Sequence, residues 1–421
     1  MKNILYLLLI ILILPGCTDR KPAAIPVDSP AIEAENANVR YDRAVRELAG
    51  RIAEALDDRQ LAAQVLVTGI DGKGNLHWLM RSLLEDCPAG GIMLFRYNLD
   101  TDTGSIQALI AETAELVASG NAVSLEPSDA VPEEAPVVRI LPFMAVDHEG
   151  GVVNRFLPGV ADLPGADSYR TILENEGMET ALARINADSA NVGTKIKRIG
   201  INMNIAPIAE QINDDNFEFL DDRSYGRDPL FVAEASEAFI AGMKQAGIIC
   251  VIKHFPGNAG ADPHYFPSVL RGDKAEMAEQ VSPFAALISK GIAEAMMVSH
   301  SAVPSWDSEN IASLSPAVMG NWLRQELGFE GIIICDDFSM TAASGMDSSG
   351  NRISLKPETA AVRSLAAGAD MVLVWPMDLK LTHHAIQAAI DDGTLSRERL
   401  RESAARIIFA KIKMGIIVNE E

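Results

Sequence analysis

Ionisable residues follow the ends of several apolar runs in this sequence. In residues 331–340, GIIICDDFSM, the run Ile-Ile-Ile-Cys leads into Asp336 and Asp337. Such a run is typical of a strand buried on both faces, so the two acids mark the strand's exit. A carboxylate held at a rigid strand end can attack an electrophilic carbon, such as the anomeric carbon of a sugar.

The same arrangement recurs at the ends of five consecutive predicted strands. These ends carry Asp147, His148 and Glu149, then Glu210, then Lys253 and His254, then His300, and finally Asp336 and Asp337. An isolated His or Asp at such a place is usually a structural polar group. Five strands that deliver ionisable groups in one register indicate a shared functional rim.

Other residues could hold and protonate a polyol substrate. Arg155, Arg223 and Lys253 could donate hydrogen bonds to the hydroxyl groups of the substrate. Asp147 could accept hydrogen bonds from them. The loop NAGADPHYF, after KHFPG, supplies Asp262 and His264, two residues apart. A His can donate a proton near neutral pH, and a neighbouring carboxylate fixes its tautomer. This pair is therefore the candidate acid for the leaving oxygen.

A metal site is the competing interpretation of the same rim. His254, His264, His300 and Asp336 could be imagined around zinc or iron. The chain lacks, however, the His-x-His after a first strand that is typical of metal-dependent barrel hydrolases. We therefore predict no metal and no cofactor.

The elements that must position this rim alternate regularly along the chain. Eight apolar runs are AAQVLVTGID, GGIMLF, PFMAVDHEGG, INMNIAPIAE, IICVIKHFPG, AEAMMVSHSA, GIIICDDFSM and GADMVLVWP. Helix-like stretches with apolar residues three and four apart lie between them. This count and order predict a single (β/α)₈ barrel of the α/β class, whose strand ends form one rim. A doubly wound open sheet is the alternative. Residues 396–413 are predicted to form a last, outer barrel helix.

Two polar segments interrupt this alternation. Residues 124–138, SLEPSDAVPEEAPVV, are acidic and rich in proline, and residues 339–357 form a second long insertion. The first is a solvated loop or a lid, and both could border the barrel mouth.

Composition limits the partners of the protein. The chain has 421 residues, 48% of them hydrophobic, and a formal net charge of −22. This charge argues against binding to nucleic acid or to anionic membrane surfaces. Three cysteines, Cys87, Cys250 and Cys335, have no close spacing, so they predict neither a disulfide framework nor a metal site.

The N-terminus has the layout of an export signal. One early Lys precedes an apolar stretch at residues 4–14, and LPGC resembles a bacterial lipobox. The alternative is a short membrane anchor that is retained. We predict a lipoprotein signal at residues 1–16, a lipidated Cys17, a Pro/Ala-rich tether at residues 17–40 and a barrel domain at residues 41–421. The protein is then anchored to the cell envelope, on its extracytoplasmic side, through the N-terminal lipid only.

Several motifs together resemble glycoside hydrolase family 3. VDHEGGVVNRF, DRSYGRDP, IKHFPG, SLSPAVM and LRQELGFEGIIICDDFSM occur in the order and approximate spacing of that family, across about residues 55 to 415. The resemblance is greatest to its single-domain bacterial β-N-acetylglucosaminidases. It implies a (β/α)₈ barrel, a retaining mechanism, Asp336 as the nucleophile and Asp337 as its structural neighbour.

The resemblance also implies roles for the other rim residues. The residues that resemble the family's sugar-binding set are Asp147, Arg155, Arg223, Lys253 and His254. The acid/base of the β-N-acetylglucosaminidase branch, a His paired with an Asp after the fifth strand, resembles His264 with Asp262.

This chain departs from the branch in three places. The branch usually reads KHFPGHGD and then DSH, whereas Asn258, Ala259 and Pro263 stand here and the interval to His264 is two residues shorter. Cys335 precedes the nucleophile where Ser or Thr is usual, and Glu210 stands where Asp is common.

Three functions follow from these observations. The leading one is an exo-acting retaining β-N-acetylhexosaminidase that works on peptidoglycan fragments or chitin-like oligosaccharides. A second is a family 3 β-glucosidase or xylosidase, or a glycoside phosphorylase. A third is a lipid-anchored sugar-binding protein that has lost catalysis through the altered loop.

Overall fold

Eight parallel strands close into one barrel. The computed structural model of the chain describes residues 30–99, 102–126, 137–343, 345–346, 352–353 and 355–419, with side chains from residue 39 except at 345–346 and 352–353. The strands are β1 (Leu66–Gly69), β2 (Gly91–Leu94), β3 (Phe143–Val146), β4 (Met203–Asn204), β5 (Ile249–Phe255), β6 (Ala295–Val298), β7 (Ile332–Cys335) and β8 (Met371–Val374). Strands that follow each other in the chain are neighbours in the barrel, and β1 pairs with both β2 and β8. The predicted barrel is confirmed, and the open sheet is excluded.

The strands form because apolar residues occupy both of their faces. All seven residues of β5 and all four of β7 are buried. A strand in a parallel sheet covered by helices has no solvent face, so its sequence reads as a continuous apolar run. Cys250 and Cys335 lie in these strands as buried free thiols. Cys87, directly after the helix Trp78–Asp86, is also a buried free thiol.

Helices surround the barrel and begin at identifiable signals. They are α1 (Pro30–Ala55), α2 (Asp58–Gln64), α3 (Trp78–Asp86), α4 (Thr103–Gly120), α5 (Ala166–Glu176), α6 (Met178–Ile199), α7 (Phe217–Leu220), α8 (Pro229–Gln245), α9 (Lys274–Gln280), α10 (Ser282–Ser289), α11 (Pro357–Ala367), α12 (Pro376–Asp391) and α13 (Arg397–Lys413), with a π-helical segment at Ala317–Glu326. At the start of α8, for example, the Asp228 side chain accepts a hydrogen bond from the Leu230 N–H, and Pro229 occupies the first turn. Both features are favourable at a helix N-terminus.

The sequence predicted that the last helix, α13, is an outer barrel helix, and this prediction is wrong. The helix lies at the N-terminal end of the barrel. Its predicted apolar stripe is largely buried. Arg399 and Arg406 contact Asp370, just before β8, and Lys411 donates to Gln64, just before β1. An amphipathic stripe requires a buried face but does not specify which surface covers it. Here that surface is the base of the barrel.

Helix α1 packs on α13 at this same end. Lys413 Nζ lies 3.4 Å from Asp42 Oδ1, and the Arg46 guanidinium lies 4.7 Å from the centre of the Phe409 ring. Residues 30–40, the end of the predicted tether, form the start of α1. The chain therefore enters the barrel domain at the end opposite to the C-terminal strand ends.

The remaining predicted segments are only partly described. The first insertion connects Ala122–Ser124 to Val137–Ile140. These two strands pair with each other, and Val137–Ile140 also pairs with Ile417–Asn419 in a small antiparallel sheet. The predicted signal, Cys17, most of the first insertion and part of the second lie outside the described residues. Within the described ranges, no helix has the length and apolar composition needed to cross a membrane.

Candidate active site

The predicted rim residues meet at the C-terminal end of the barrel. Asp147 follows β3, Lys253 and His254 lie in β5, and Asp336 follows β7. The backbone order of a parallel barrel brings these strand ends to one face. Arg155, Arg223, Asp262 and His264 lie on the loops that follow β3, β4 and β5 on this face.

A chain of five charged groups joins the loops after β3 and β4 to β5. Lys253 Nζ lies 2.6 Å from Asp147 Oδ1 and 2.5 Å from Glu149 Oε1. Arg155 pairs with the other Asp147 oxygen at 2.8 Å, and Arg223 binds Glu149 through two nitrogens at 2.9 and 3.0 Å. Two carboxylates thus separate three cations, so each buried charge has a partner of opposite sign.

Electrostatics keeps both carboxylates of this network ionised. Burial alone would raise the pKa of Asp147, but the charges of Lys253 and Arg155 outweigh it and hold the pKa below its ordinary value. Burial likewise opposes ionisation of Glu149, whose pKa is nevertheless lowered by Lys253 and Arg223. The network therefore presents fixed donors and acceptors, which suits the hydroxyl groups of a sugar.

Glu149 is a site residue that the sequence did not assign. It appeared only as one of three ionisable residues after β3, and its importance depends on Arg223, which is distant in the chain. Its side chain is 4% exposed and connects Lys253 to Arg223. The DHE triplet offered a signal, since alternate residues after a strand can reach the same rim.

His254 is held by a buried carboxylate from the loop after β4. Its Nδ1 lies 2.5 Å from Glu210 Oε1, while the Asn258 backbone N–H donates to Glu210 Oε2 at 2.6 Å. With Nδ1 donating to the carboxylate, the Nε2 atom of a neutral His254 is an acceptor for a substrate hydroxyl.

The two adjacent acids after β7 have different surroundings. The Asp337 carboxylate accepts from the Ser339 N–H at 2.8 Å, from the Ser339 hydroxyl at 2.7 Å and from Trp375 Nε1. Burial raises the pKa of Asp337, and these hydrogen bonds oppose the shift. The hydrogen bond described for the Asp336 carboxylate comes from the Asp337 N–H at 2.8 Å. Asp337 is thus tied into the fold by three donors, whereas the bond described for the Asp336 carboxylate comes from its neighbour's backbone.

His300 and His148 support the loops of the site. His300 Nε2 donates to the Asp337 carbonyl oxygen at 3.0 Å, and its Nδ1 pairs with the Ser313 hydroxyl at 2.7 Å. Burial lowers the pKa of His300, so the ring is neutral and this donor pattern is fixed. His148 likewise pairs through Nε2 with the Ala161 carbonyl oxygen at 2.8 Å, and burial lowers its pKa to about 4.

The predicted acid pair forms in the loop after β5. Asp262 Oδ1 accepts both the His264 backbone N–H at 2.9 Å and the Nδ1–H at 2.6 Å. The His264 side chain is 60% exposed, so Nε2 is open to an incoming group. The Thr341 N–H donates to the His264 carbonyl oxygen, and the Ala342 N–H donates to that of Pro263, both at 3.1 Å. The acid loop is therefore attached to the segment that follows Asp336.

The alternative metal site is not supported by this geometry. The three histidines proposed for it point to three separate partners: Glu210, Asp262 and Ser313. In the part of the chain that the structure describes, no three His, Cys, Asp or Glu side chains are grouped to hold a metal ion. The rim instead contains a carboxylate, the network of five charged groups and a His–Asp pair. Such a set of groups can support nucleophilic attack at an acetal carbon.

Comparison with known proteins points in the same direction. The model of the glycosyl hydrolase family 3 N-terminal domain matches residues 63–410. A curated relative named beta-hexosaminidase, from Methylococcus capsulatus, is 32% identical over 331 residues, which are 77% of this chain and 86% of the relative.

Solved structures show the same barrel. A family 3 beta-N-acetylglucosaminidase from Paenibacillus sp. FPU-7 aligns with a TM-score of 0.73 and 27% identity, covering 86% of this chain and 63% of that chain. NagZ from Neisseria gonorrhoeae, solved with N-trifluoroacetyl-D-glucosamine, aligns with a TM-score of 0.63 and 25% identity, covering 82% of this chain and 89% of that one. This chain thus spans less than two thirds of the Paenibacillus protein and most of the Neisseria protein.

Proposed function

Because this chain belongs to glycosyl hydrolase family 3, we propose that it is an exo-acting retaining β-N-acetylhexosaminidase. Its substrate is a terminal β-linked N-acetylglucosamine on a peptidoglycan fragment or a chitin-like oligosaccharide. The observation that carries the proposal is the contrast between the adjacent acids: three donors occupy the Asp337 carboxylate, while the bond described for the Asp336 carboxylate comes from the Asp337 backbone N–H.

In the first step, Asp336 attacks the anomeric carbon and forms a glycosyl ester, while the bond to the leaving oxygen breaks. His264 gives its Nε2 proton to that oxygen. The Asp262 carboxylate accepts from Nδ1–H and so stabilises the imidazolium that must exist before the transfer. After the transfer, the neutral ring keeps its proton on Nδ1.

In the second step, a water molecule replaces the leaving group. His264 Nε2 accepts a proton from this water as it attacks the ester carbon, and Asp336 departs as a carboxylate. Two displacements at one carbon retain the β configuration. The exposed position of His264 admits both the leaving sugar and the water.

The charged network holds the sugar that is transferred. Asp147 accepts from hydroxyls, while Arg155, Lys253 and Arg223 donate with the N–H groups that their carboxylate partners leave free. His254 adds one acceptor at Nε2. The amino-sugar assignment is supported by the names of the relatives, among them NagZ with its bound N-acyl glucosamine.

An assay of aryl β-N-acetylglucosaminide, with and without inorganic phosphate, tests this function. We expect free N-acetylglucosamine as the product in both conditions, and none from the Asp336→Asn protein. A sugar phosphate as the main product would instead establish a phosphorylase. Turnover of an aryl glucoside or xyloside alone would show that the enzyme is a β-glucosidase or xylosidase. Binding of the sugar without turnover would show that the protein is a sugar-binding protein without catalytic activity.

We further propose that the protein is held to the cell envelope by a lipid on Cys17, with its active site directed away from the membrane. The support for this orientation is the position of α1 at the base of the barrel, where it packs on α13. The candidate active site lies at the other end of the strands. Soluble cell-wall fragments could then reach the site without approaching the lipid surface.

A further inference from the structure

Three aromatic rings form a continuous stack at the C-terminal end of the barrel. The Phe95 ring lies 5.0 Å from the Trp375 ring at an interplanar angle of 14°, and 5.8 Å from the Tyr97 ring at 11°. Tyr97, Phe95 and Trp375 are called the aromatic wall below. Phe95 directly follows β2 and Trp375 directly follows β8, so the wall stands on the rim that carries the acids.

The wall joins two strands that are not neighbours. β1 lies between β2 and β8, and its last residue is Gly69. A Cβ atom at Gly69 would lie 3.0 Å from Phe95 Cε2, a tight contact. Because Gly69 has no side chain, the Phe95 ring can lie over the end of β1 and reach Trp375.

A buried asparagine fixes the turn that carries Tyr97. Asn98 Oδ1 accepts from the Phe95 N–H at 3.0 Å, and Asn98 Nδ2 donates to the carbonyl oxygens of Ile70 and Gly72 at 2.9 and 3.1 Å. The rings are thus held in place before any ligand binds. A ligand that stacks on them has little ordering cost to overcome.

Trp375 connects the wall to the acids at the end of β7. Its Nε1–H donates to Asp337 Oδ2 and lies 2.9 Å from the Ser339 hydroxyl oxygen. Asp336, the proposed nucleophile, is the adjacent residue. The loop with His264 reaches the segment after Asp336 from β5, on the other side of β7 around the barrel. The bond that is cleaved lies between Asp336 and His264, and the wall borders this place on its β8 side.

The wall offers a different surface from the charged network. Tyr97 is 43% exposed and Met377, two residues past Trp375, is 84% exposed, so apolar surface remains open to solvent at this edge. The Trp375 N–H is already used by Asp337 and Ser339. Such a surface suits the C–H face of a pyranose ring, whereas the network of Asp147 and Lys253 suits hydroxyl groups.

We propose that the aromatic wall binds the leaving-group sugar, the pyranose ring on the far side of the bond that is cleaved. This inference rests on the proposed hydrolysis of a β-linked disaccharide. The polar network selects the terminal sugar, and the wall adds a preference for substrates whose second unit is also a sugar ring.

Comparison of two substrates tests the wall. The leaving group of N,N′-diacetylchitobiose is a sugar, whereas that of β-N-acetylglucosaminyl fluoride is a fluoride ion, which cannot contact the wall as a sugar ring would. We expect Tyr97→Ala to lower kcat/KM for the disaccharide about tenfold, the loss of one aromatic contact, and to change kcat/KM for the fluoride much less. Tyr97→Phe keeps the ring and should restore the wild-type ratio of the two values.

Trp78→Ala is the matched control, because Trp78 is an aromatic residue 68% exposed at the start of α3 and lies outside the wall. It should keep the wild-type ratio. A thermal midpoint close to that of the wild type shows that Tyr97→Ala has folded, and Tyr97→Leu provides a second variant. Equal losses on both substrates, or none, would overturn the role of the wall while the hydrolase activity stands. Wild-type turnover of neither substrate would overturn the proposed function and this inference with it.

Discussion

Glu210 and Asn258 contact each other directly, through a 2.6 Å hydrogen bond from the Asn258 backbone N–H to Glu210 Oε2. The Asn258 side-chain amide also donates to Glu210 Oε1 at 3.2 Å. In the resemblance described above, these are two of the places where the sequence departs from the usual pattern. The two residues therefore form one local unit, which delivers a carboxylate to His254 Nδ1.

Glu210→Gln tests this arrangement with little change of shape. The amide has one acceptor oxygen and one NH₂ group, so it cannot accept from His254 and Asn258 on separate oxygens. Loss of a hydrogen bond to a charged group costs about 1.5–3 kcal/mol, which predicts a decrease in kcat/KM of about 10- to 100-fold. The loss should be equal for disaccharide and nitrophenyl substrates, because His254 holds the sugar that both share.

Asn258→Ala is the control for that experiment. It removes only the longer side-chain bonds of 3.2 and 3.4 Å and keeps the backbone bond, so we expect a decrease of less than about fivefold. A Glu210→Gln enzyme with normal kcat/KM would show that His254 does not depend on Glu210.

The Asp336→Asn variant should lose nearly all turnover, because an amide cannot form the glycosyl ester. Asp337→Asn should lose much less, since it keeps an oxygen that can accept from Ser339 or Trp375. A fluorinated N-acetylglucosamine derivative that traps the intermediate, followed by peptide mass spectrometry, checks the assignment. Label on Asp337 would reverse it.

Sequence patterns reveal the barrel and its rim but not how the rim residues pair. The strands could be predicted because runs such as residues 332–335 are apolar on both faces, and Asp336 follows from its place at a run's end. The link from Arg223 through Glu149 to Lys253 depends on two loops and a strand meeting in space. Likewise, no periodicity indicates that Phe95 and Trp375 stack, since Gly69 allows it from a third strand.

Lys411 should give the stability of the protein a distinct pH dependence. Its buried Nζ donates to Gln64 Oε1 at 2.9 Å and lies 5.1 Å from the centre of the Phe143 ring. Burial lowers the pKa of Lys411 to about 7. Between this pH and the ordinary lysine pKa of about 10.4, the unfolded chain binds a proton that the folded chain lacks. Lys411 therefore makes stability rise with pH, by up to about 1.4 kcal/mol per unit.

Lys411→Met removes the titrating group and keeps the chain length of the side chain. Denaturant unfolding of both proteins from about pH 7 to about pH 9.5 should give a difference in the free energy of unfolding that changes steadily with pH. The wild type should gain relative to the variant as pH rises. Parallel curves would show that Lys411 is protonated to the same extent in both states.

The Cys17→Ser protein should be released from membranes, because the lipid on Cys17 is the only anchor proposed. Several acyl chains hold a protein firmly and one holds it weakly. Fractionation of cells that produce either form, with mass spectrometry of the native N-terminus, measures both release and lipid. A Cys17→Ser protein that still sediments with membranes, or a native protein without lipid, would contradict the anchor.

His264 should matter in proportion to how poor the leaving group is. A sugar hydroxyl needs a proton as it departs, whereas an acidic phenol departs unaided. His264→Ala should therefore cripple the formation of the glycosyl enzyme from a disaccharide and largely spare that step with a nitrophenyl glycoside. Pre-steady-state measurement of nitrophenol release isolates this step.

Release of the intermediate provides the second half of the test, since the same His acts as a base toward water. The His264→Ala enzyme should release the sugar slowly, and added azide, which needs no base, should restore release and leave a β-glycosyl azide. His254→Ala is the matched control. It should weaken both substrates alike without azide rescue, because its proposed role is to hold the sugar ring. Because Asp262 and the Thr341 backbone fix His264 beside the nucleophile loop, equal losses on both substrates would mean that another rim residue supplies the proton despite this placement.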